Sequence, residues 1–304
     1  MQKTVKLQRY SGNPVLRPNP ENPWEAQNVS NAGAAIHDGK VHLLYRAEGF
    51  EPRAEYHTWP VASLGLAVSS DGYNFERFDK PALMKTGKDH EAWAVEDPRI
   101  AKIDETYYIT YVCTSLHGDH IALATTKDFK SFKRHGLIMP EISQRTSGLF
   151  PGRIKGRYVL MHRITPGMWI SFSDDLRTWT DTTCILAPKA GTWYNLKLGI
   201  GATPIEQDDG WLVFWHAKAL DENSPYGMYR LGVLWLNKDD PTKIIKLQEE
   251  PVLEVELEME KQGYYRNVVY TCGAVELNEQ YFVYYGCADR VCSVATVPVE
   301  DCRL

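Results

Sequence analysis

Nothing in these 304 residues approaches the ~18–20 consecutive apolar residues of a membrane-spanning helix. The first residues, MQKTVKLQRYSGNPVL, carry no apolar stretch of a secretory leader. Cysteine is sparse: six residues, at 113, 184, 272, 287, 292 and 302, with no CxxC pair. The expectation is therefore a cytoplasmic protein with reduced thiols. Cys287 and Cys292 have no further His or Cys at ligand spacing, and the two histidines of HGDH (117–120) lack a third ligand, so no metal is expected. Positive charge is not in excess. The net charge of -5 argues against nucleic acid or an anionic membrane as partner. No Ser sits in a G-x-S-x-G elbow, and GIGATP (199–204) lacks the Lys-Ser/Thr ending of a phosphate loop. Convincing long helical patterns are absent too.

Short β-like runs are abundant. VHLLYRA (41–47), YYITYVC (107–113), RYVLMHR (157–163), GWLVFWHA (210–217) and QYFVYYG (280–286) are rich in Val, Ile, Tyr and Trp and bounded by Gly, Asp, Asn and Pro. A second strand follows each of them. Three of those partners carry a Ser/Thr-x-Asp turn signature leading to Phe or Trp, near 70–75, 126–132 and 173–179. Aligned positions fall at Tyr45, Tyr111, His162, His216 and Tyr285, a period of roughly 50–70 residues. That repetition predicts an all-β, five-bladed propeller with a central funnel, one catalytic domain over 1–304. A two-sheet sandwich would not repeat at this period. The aromatic share of 12%, with nine Trp and seventeen Tyr, suits sugar binding, but an aromatic-rich β core is the plainer source of it.

In a propeller the polar ends of the recognised strands should converge on the funnel. These ends are Arg46, Arg163, His216 and Asp289, joined by Asn31 of NVSNAGAAI and by Asp97 and Arg99 of AVEDPRI. Arg145 and Lys197 add two cations. Arg145, Arg163, Lys197 and His216 make a basic spot in an acidic protein. An anion such as phosphate would compensate it, and so would pairing with rim carboxylates. Hydrolysis of a glycoside needs two carboxyl groups. Phosphorolysis needs only the acid, because phosphate is the nucleophile. Asp97 is the candidate acid, although Asp-Pro is also an ordinary turn signal. Glu96 should face the other side if the segment is extended.

The motifs NPVLRPNPENPWE, LLYRAEG, EDPRI, LFPGRIKGRYVLMHR, ISFSDDLRTW, KLGIGATP, YRLGVLWL and YYGCADRVCSVAT, in this order, resemble the β-mannoside phosphorylases of glycoside hydrolase family 130. The resemblance covers nearly the whole chain. It implies a five-bladed propeller that phosphorolyses β-mannosides with inversion, giving α-mannose 1-phosphate and a shortened acceptor, with inorganic phosphate as co-substrate and no cofactor. It implies Asp97 as the acid, acting through the mannose 3-hydroxyl. Arg145, Arg163, Lys197, His216 and Tyr229 would hold phosphate, and Asn31, Arg46 and Asp289 the mannose. Independently of the resemblance, Arg99 beside Asp97 is expected to orient a sugar hydroxyl or the acid. Two departures stand out: Ala32, where relatives often have Ser or Pro, and the aromatic loop 50–63, which bears on acceptor choice. β-1,2-Mannobiose or short β-1,2-oligomannan is the expected substrate. The alternatives are β-1,4-mannosyl-glucose or β-1,4-mannosyl-N-acetylglucosamine phosphorolysis, a hydrolase with Glu96 or Asp289 as base, and a non-catalytic sugar-binding propeller. Aromatic loops at 50–60 and 221–230 could also make contacts in a homo-oligomer.

Overall fold

Two-residue turns fold the apolar runs back on themselves. Asp38-Gly39, Lys155-Gly156 and Asn278-Glu279 each put both turn residues at positive φ, the geometry whose twist matches that of paired strands. The computed structural model describes residues 4–49, 61–87, 89–221 and 224–304. Its strands form five antiparallel sheets, taken here as blades I to V of a β-propeller. Blade I comprises Asn28–His37, Lys40–Gly49, Val61–Ser69 and Glu76–Arg77, and blade II Ala94–Ile103, Thr106–Ser115, Gly118–Thr126 and Lys133–Ile138. Blade III comprises Ser147–Ile154, Arg157–Ile164, Gly167–Ser173 and Thr180–Leu186. Blade IV comprises Lys197–Ile200, Gly210–Asp221, Ser224–Leu236 and Ile244–Leu247, with Ile205–Gln207 as a further inner segment. Blade V comprises Val269–Leu277, Gln280–Cys287 and Val291–Pro298, and Gln8–Arg9 from the other end of the chain completes it. The one α-helix among the described residues, Glu258–Lys261, has a single turn.

The core is five apolar wedges, one between each pair of neighbouring blades. Phe214 and Trp235 of blade IV meet Val283 and Tyr285 of blade V, for example, and Val29 and Leu43 of blade I meet Tyr284 and Val294 of blade V. At the axis the inner strands touch backbone to backbone. A Cβ on Gly33 would lie 2.5 Å from the Pro98 carbonyl oxygen, and one on Gly273 would lie 2.4 Å from the Ala34 nitrogen, so only glycine fits.

The periodicity has a physical basis. Ser69, Thr126 and Ser173 each precede by two residues an Asp (71, 128, 175) whose carboxylate accepts backbone N–H groups two and three residues further on. Tyr45, Tyr111 and Tyr285 are buried, and each hydroxyl donates to a glutamate ahead of its blade: Glu25 at 2.8 Å, Glu91 at 2.6 Å and Glu260 at 3.0 Å. Each glutamate in turn pairs with an outer-strand arginine: Arg77, Arg134 and Arg9. Blades III and IV carry histidine at the equivalent position and lack this unit.

One expectation needs correction. The five runs recognised from the sequence are the second strands of their blades, not the innermost. The innermost strands are the segments just before them, and a bulge hides two of these. Ser30 faces Arg46 while Gly33 faces Leu44, and Glu96 faces Val112 while Arg99 faces Thr110, so each inner strand holds one extra residue. Asn31 (φ 51°) and Asp97 (φ 49°) occupy these two bulges in the left-handed region.

Candidate active site

The bulges turn Asn31 and Asp97 toward each other, and the Asn31 amide donates to Asp97 Oδ1 at 2.9 Å. Gly286 leaves the room, since a Cβ there would lie 2.2 Å from Asn31 Oδ1. Beside them Arg46 is buried among four carboxylates. Its guanidinium lies 3.1 Å from Glu48, 3.2 Å from Asp97, 3.6 Å from Glu96 and 3.1 Å from Asp289. Asp289 follows Ala288, and both have positive φ, at 54° and 48°.

Because of the bulge, Glu96 does not face away. Its carboxylate pairs with Arg145, whose other nitrogen lies 3.0 Å from Asp119. The expectation that Glu96 points to the opposite side is overturned, because strand alternation fails where a residue is inserted. Burial pushes Glu96 up, against the pull of Arg145 and Arg46. Burial would raise Asp97 as well, but the Arg46 and Arg145 guanidiniums, the Asn31 amide and Arg99 outweigh it and hold Asp97 below its ordinary range. Burial lifts Glu48 to about 7.

Across the cavity the charges are positive. Lys197 and Lys218 face each other as a cross-strand pair, an arrangement that destabilises a sheet. Both ammonium groups lie over the Tyr229 ring, at 5.7 and 5.9 Å from its centroid. Arg163 is 7% exposed, and no ion pair among the described residues engages it or either lysine. Burial and the neighbouring Arg163, Lys218 and Arg145 push Lys197 down to about 8. Burial moves the Tyr229 phenol up to about 12.

These groups share a cavity of about 660 Å³. Asn31, Arg46, Asp97 and Asp289 line it on one side, Arg163, Lys197, Lys218 and Tyr229 on the other, and Arg145 at the junction of the two. Two expected residues do not line it. Arg99 is 1% exposed and its guanidinium is spent on carbonyls: Gly201 at 2.6 Å, Ile200 at 2.8 Å and Asp97 at 3.2 Å. It braces the inner strands and the Asp97 bulge. His216 is fully buried beneath Gly199, with its ring centroid 4.0 Å from that of Tyr270, and burial lowers its pKa well below the usual value. Tyr270, whose ring packs against it, lines the cavity in its place. The sequence reading missed Lys218, Tyr264, Tyr265 and Arg266, which also line the cavity. Lys218 had a signal, since it stands two residues past His216 on one strand.

No group of three His, Cys, Asp or Glu among the described residues is arranged to hold a metal, and the cysteines are free thiols. No helix among the described residues is long and apolar enough to cross a membrane. The loop at 50–60 and residues 222–223 lie outside the described residues.

The sequence profile of glycoside hydrolase family 130, described as beta-1,4-mannooligosaccharide phosphorylase, matches residues 6–302. A 1,2-beta-oligomannan phosphorylase of Thermoanaerobacter sp. (strain X514) is 43% identical over 302 residues, covering 98% of this chain and 99% of the relative. A beta-1,2-mannobiose phosphorylase of the same strain is also 43% identical, over 310 residues, with 98% and 99% covered. The solved beta-1,2-mannobiose phosphorylase of Listeria innocua, in complex with beta-1,2-mannobiose, superposes with a TM-score of 0.84 at 26% identity, over 97% of each chain.

Proposed function

The chain belongs to glycoside hydrolase family 130 and is an enzyme that phosphorolyses β-mannosides, and from that premise we propose that its substrates are β-1,2-mannobiose and short β-1,2-oligomannans. The two relatives at 43% identity carry β-1,2 names, which weigh more than the β-1,4 description of the whole family. Inorganic phosphate is the co-substrate, the products are α-D-mannose 1-phosphate and a shortened acceptor, and the whole chain acts as one catalytic domain in the cytoplasm.

The observation that carries this reading is the wall of unpaired cations facing Asp97. Arg163, Lys197 and Lys218 repel one another in the free protein, and a phosphate dianion relieves that repulsion. Arg145, at the junction of the two walls, and Tyr229 complete the phosphate cradle. Asn31, Arg46 and Asp289 hold the mannose. Arg99 and His216 act from behind, bracing the inner strands and the Tyr270 ring.

Asp97 is ionised in the free protein at neutral pH, so an acid role requires a proton to be loaded onto it. Phosphate supplies the means. Its negative charge offsets the guanidiniums that keep Asp97 ionised. The proton balance then closes: HPO4²⁻ gives up its proton as it becomes the phosphomonoester dianion, and the departing sugar hydroxyl gains one. Phosphate attacks the anomeric carbon from the face opposite the scissile oxygen, the C–O bond to the acceptor breaks, and the configuration inverts. The proton from Asp97 reaches the leaving oxygen through the mannose 3-hydroxyl.

Incubation with β-1,2-mannobiose and phosphate tests this. We expect stoichiometric mannose 1-phosphate and mannose. Free mannose alone, released at a rate independent of phosphate, would replace the reading with hydrolysis.

A further inference from the structure

We propose that Tyr264 and Tyr265 form the acceptor platform, on which the sugar units beyond the cleaved bond stack. The inference rests on the phosphorolytic reading above. Both rings line the cavity, yet they are 38% and 53% exposed, among the few large side chains of apolar character left so open. They stand edge to face, with centroids 5.2 Å apart. The C–H faces of a pyranose pack well on aromatic rings that line a cavity.

Their location follows from the backbone. The Tyr265 N–H donates to the Ala288 carbonyl at 3.0 Å, one residue before Asp289, and the Ala288 N–H donates to the Val268 carbonyl at 2.9 Å. These ties hold the segment above the carboxylate wall. The charged side chains that act most on Tyr264 include Glu48, Arg46 and Asp289, all of that wall. Inversion requires nucleophile and leaving group on opposite faces of the mannose. With phosphate against Arg163 and Lys197, the departing sugar lies toward the carboxylate wall, where the two rings stand. Arg266 beside them also lines the cavity and brings hydrogen-bond donors for sugar hydroxyls. Tyr264, the less exposed ring, serves the unit next to the cleaved bond. Tyr265, farther out, serves the following unit.

The test is the synthetic direction, with mannose 1-phosphate and mannose, β-1,2-mannobiose or β-1,2-mannotriose as acceptor. Tyr264→Ala should raise KM for every acceptor about tenfold with little change in kcat, as expected when uniform binding is lost. Tyr265→Ala should raise KM about fivefold for mannobiose and mannotriose and leave mannose unchanged. Tyr265→Phe, which keeps the ring face, should behave as the unmodified enzyme. KM for mannose 1-phosphate should stay constant throughout. Acceptor KM values within twofold of the unmodified enzyme in both alanine variants would overturn the proposal, and so would a rise confined to mannose 1-phosphate. If Tyr264→Ala does not fold, the Tyr265 pair decides alone. An unmodified enzyme with no phosphate-dependent turnover would instead remove the phosphorolytic reading.

Discussion

On the side of the cavity built by blades I, II and V, five carboxylates (Glu48, Glu96, Asp97, Asp119 and Asp289), of which Asp97 and Asp289 line it, share two guanidiniums, Arg46 and Arg145. On the wall built by blades III and IV, Arg163, Lys197 and Lys218 have no carboxylate among the described residues. The first wall is a network of ion pairs, and removing a guanidinium from it leaves buried carboxylates unpaired. The second is a standing repulsion, which on the proposed function phosphate would relieve. The same architecture thus separates cations that are paired with carboxylates from cations that are not.

The largest effect expected from disturbing this contrast is chemical. Asp97→Asn should lower kcat by ~10²–10⁴ while circular dichroism stays unchanged. Near-normal turnover would remove Asp97 from its role. Next come two arginines with opposite outcomes. Arg46→Ala should destabilise the protein by about 3–5 kcal/mol in urea unfolding, because Glu48, Asp97 and Asp289 lose their shared partner. Arg163→Ala should leave stability unchanged or slightly raised, yet increase KM for phosphate by about tenfold or more. Equal stability losses in the two variants would erase the distinction between the walls.

A subtler effect is pH dependence. Lys197, held at about 8, loses its charge as pH rises through that value. KM for phosphate should therefore climb above pH 8, and Lys197→Arg should flatten the climb, since guanidinium stays charged. The smallest effect concerns Glu48, lifted to about 7 by burial. The folded state then holds its proton more tightly than the unfolded state, whose value is 4.5. Stability should fall as pH rises from 4.5 to about 7 and level off above it. Glu48→Gln should remove this slope, raising Tm at pH 8 by about 2–4 °C.

Much of the ring was visible in the residue pattern, because the second strands repeat. Tyr45, Tyr111 and Tyr285 recur because each closes the same hydroxyl–glutamate–arginine unit. The inner strands were harder to see. Positive φ at Asn31 and Asp97 interrupts alternation where the side chains matter most. Glu96 was sent the wrong way for the same reason. Eight of the ten expected site residues line the cavity, and the two that do not, Arg99 and His216, are buried directly behind it. Strand polarity alone does not say which side of an inner strand is open. Tyr264 and Tyr265 lie in an irregular segment, where no period exists to mark them.

The short strand Gln8–Arg9 has a consequence beyond geometry. Arg9 reaches Glu260 at 2.8 Å, and Glu260 also accepts from Tyr285, so the far end of the chain is fastened to the blade that carries Asp289. Ring closure joins segments 251 positions apart, so it carries a large loop-closure entropy that the clasp must offset. Until it happens, blade V exposes a free edge on which a second molecule could pair. By pairing with Val291–Pro298, Gln8–Arg9 covers that edge in the closed ring.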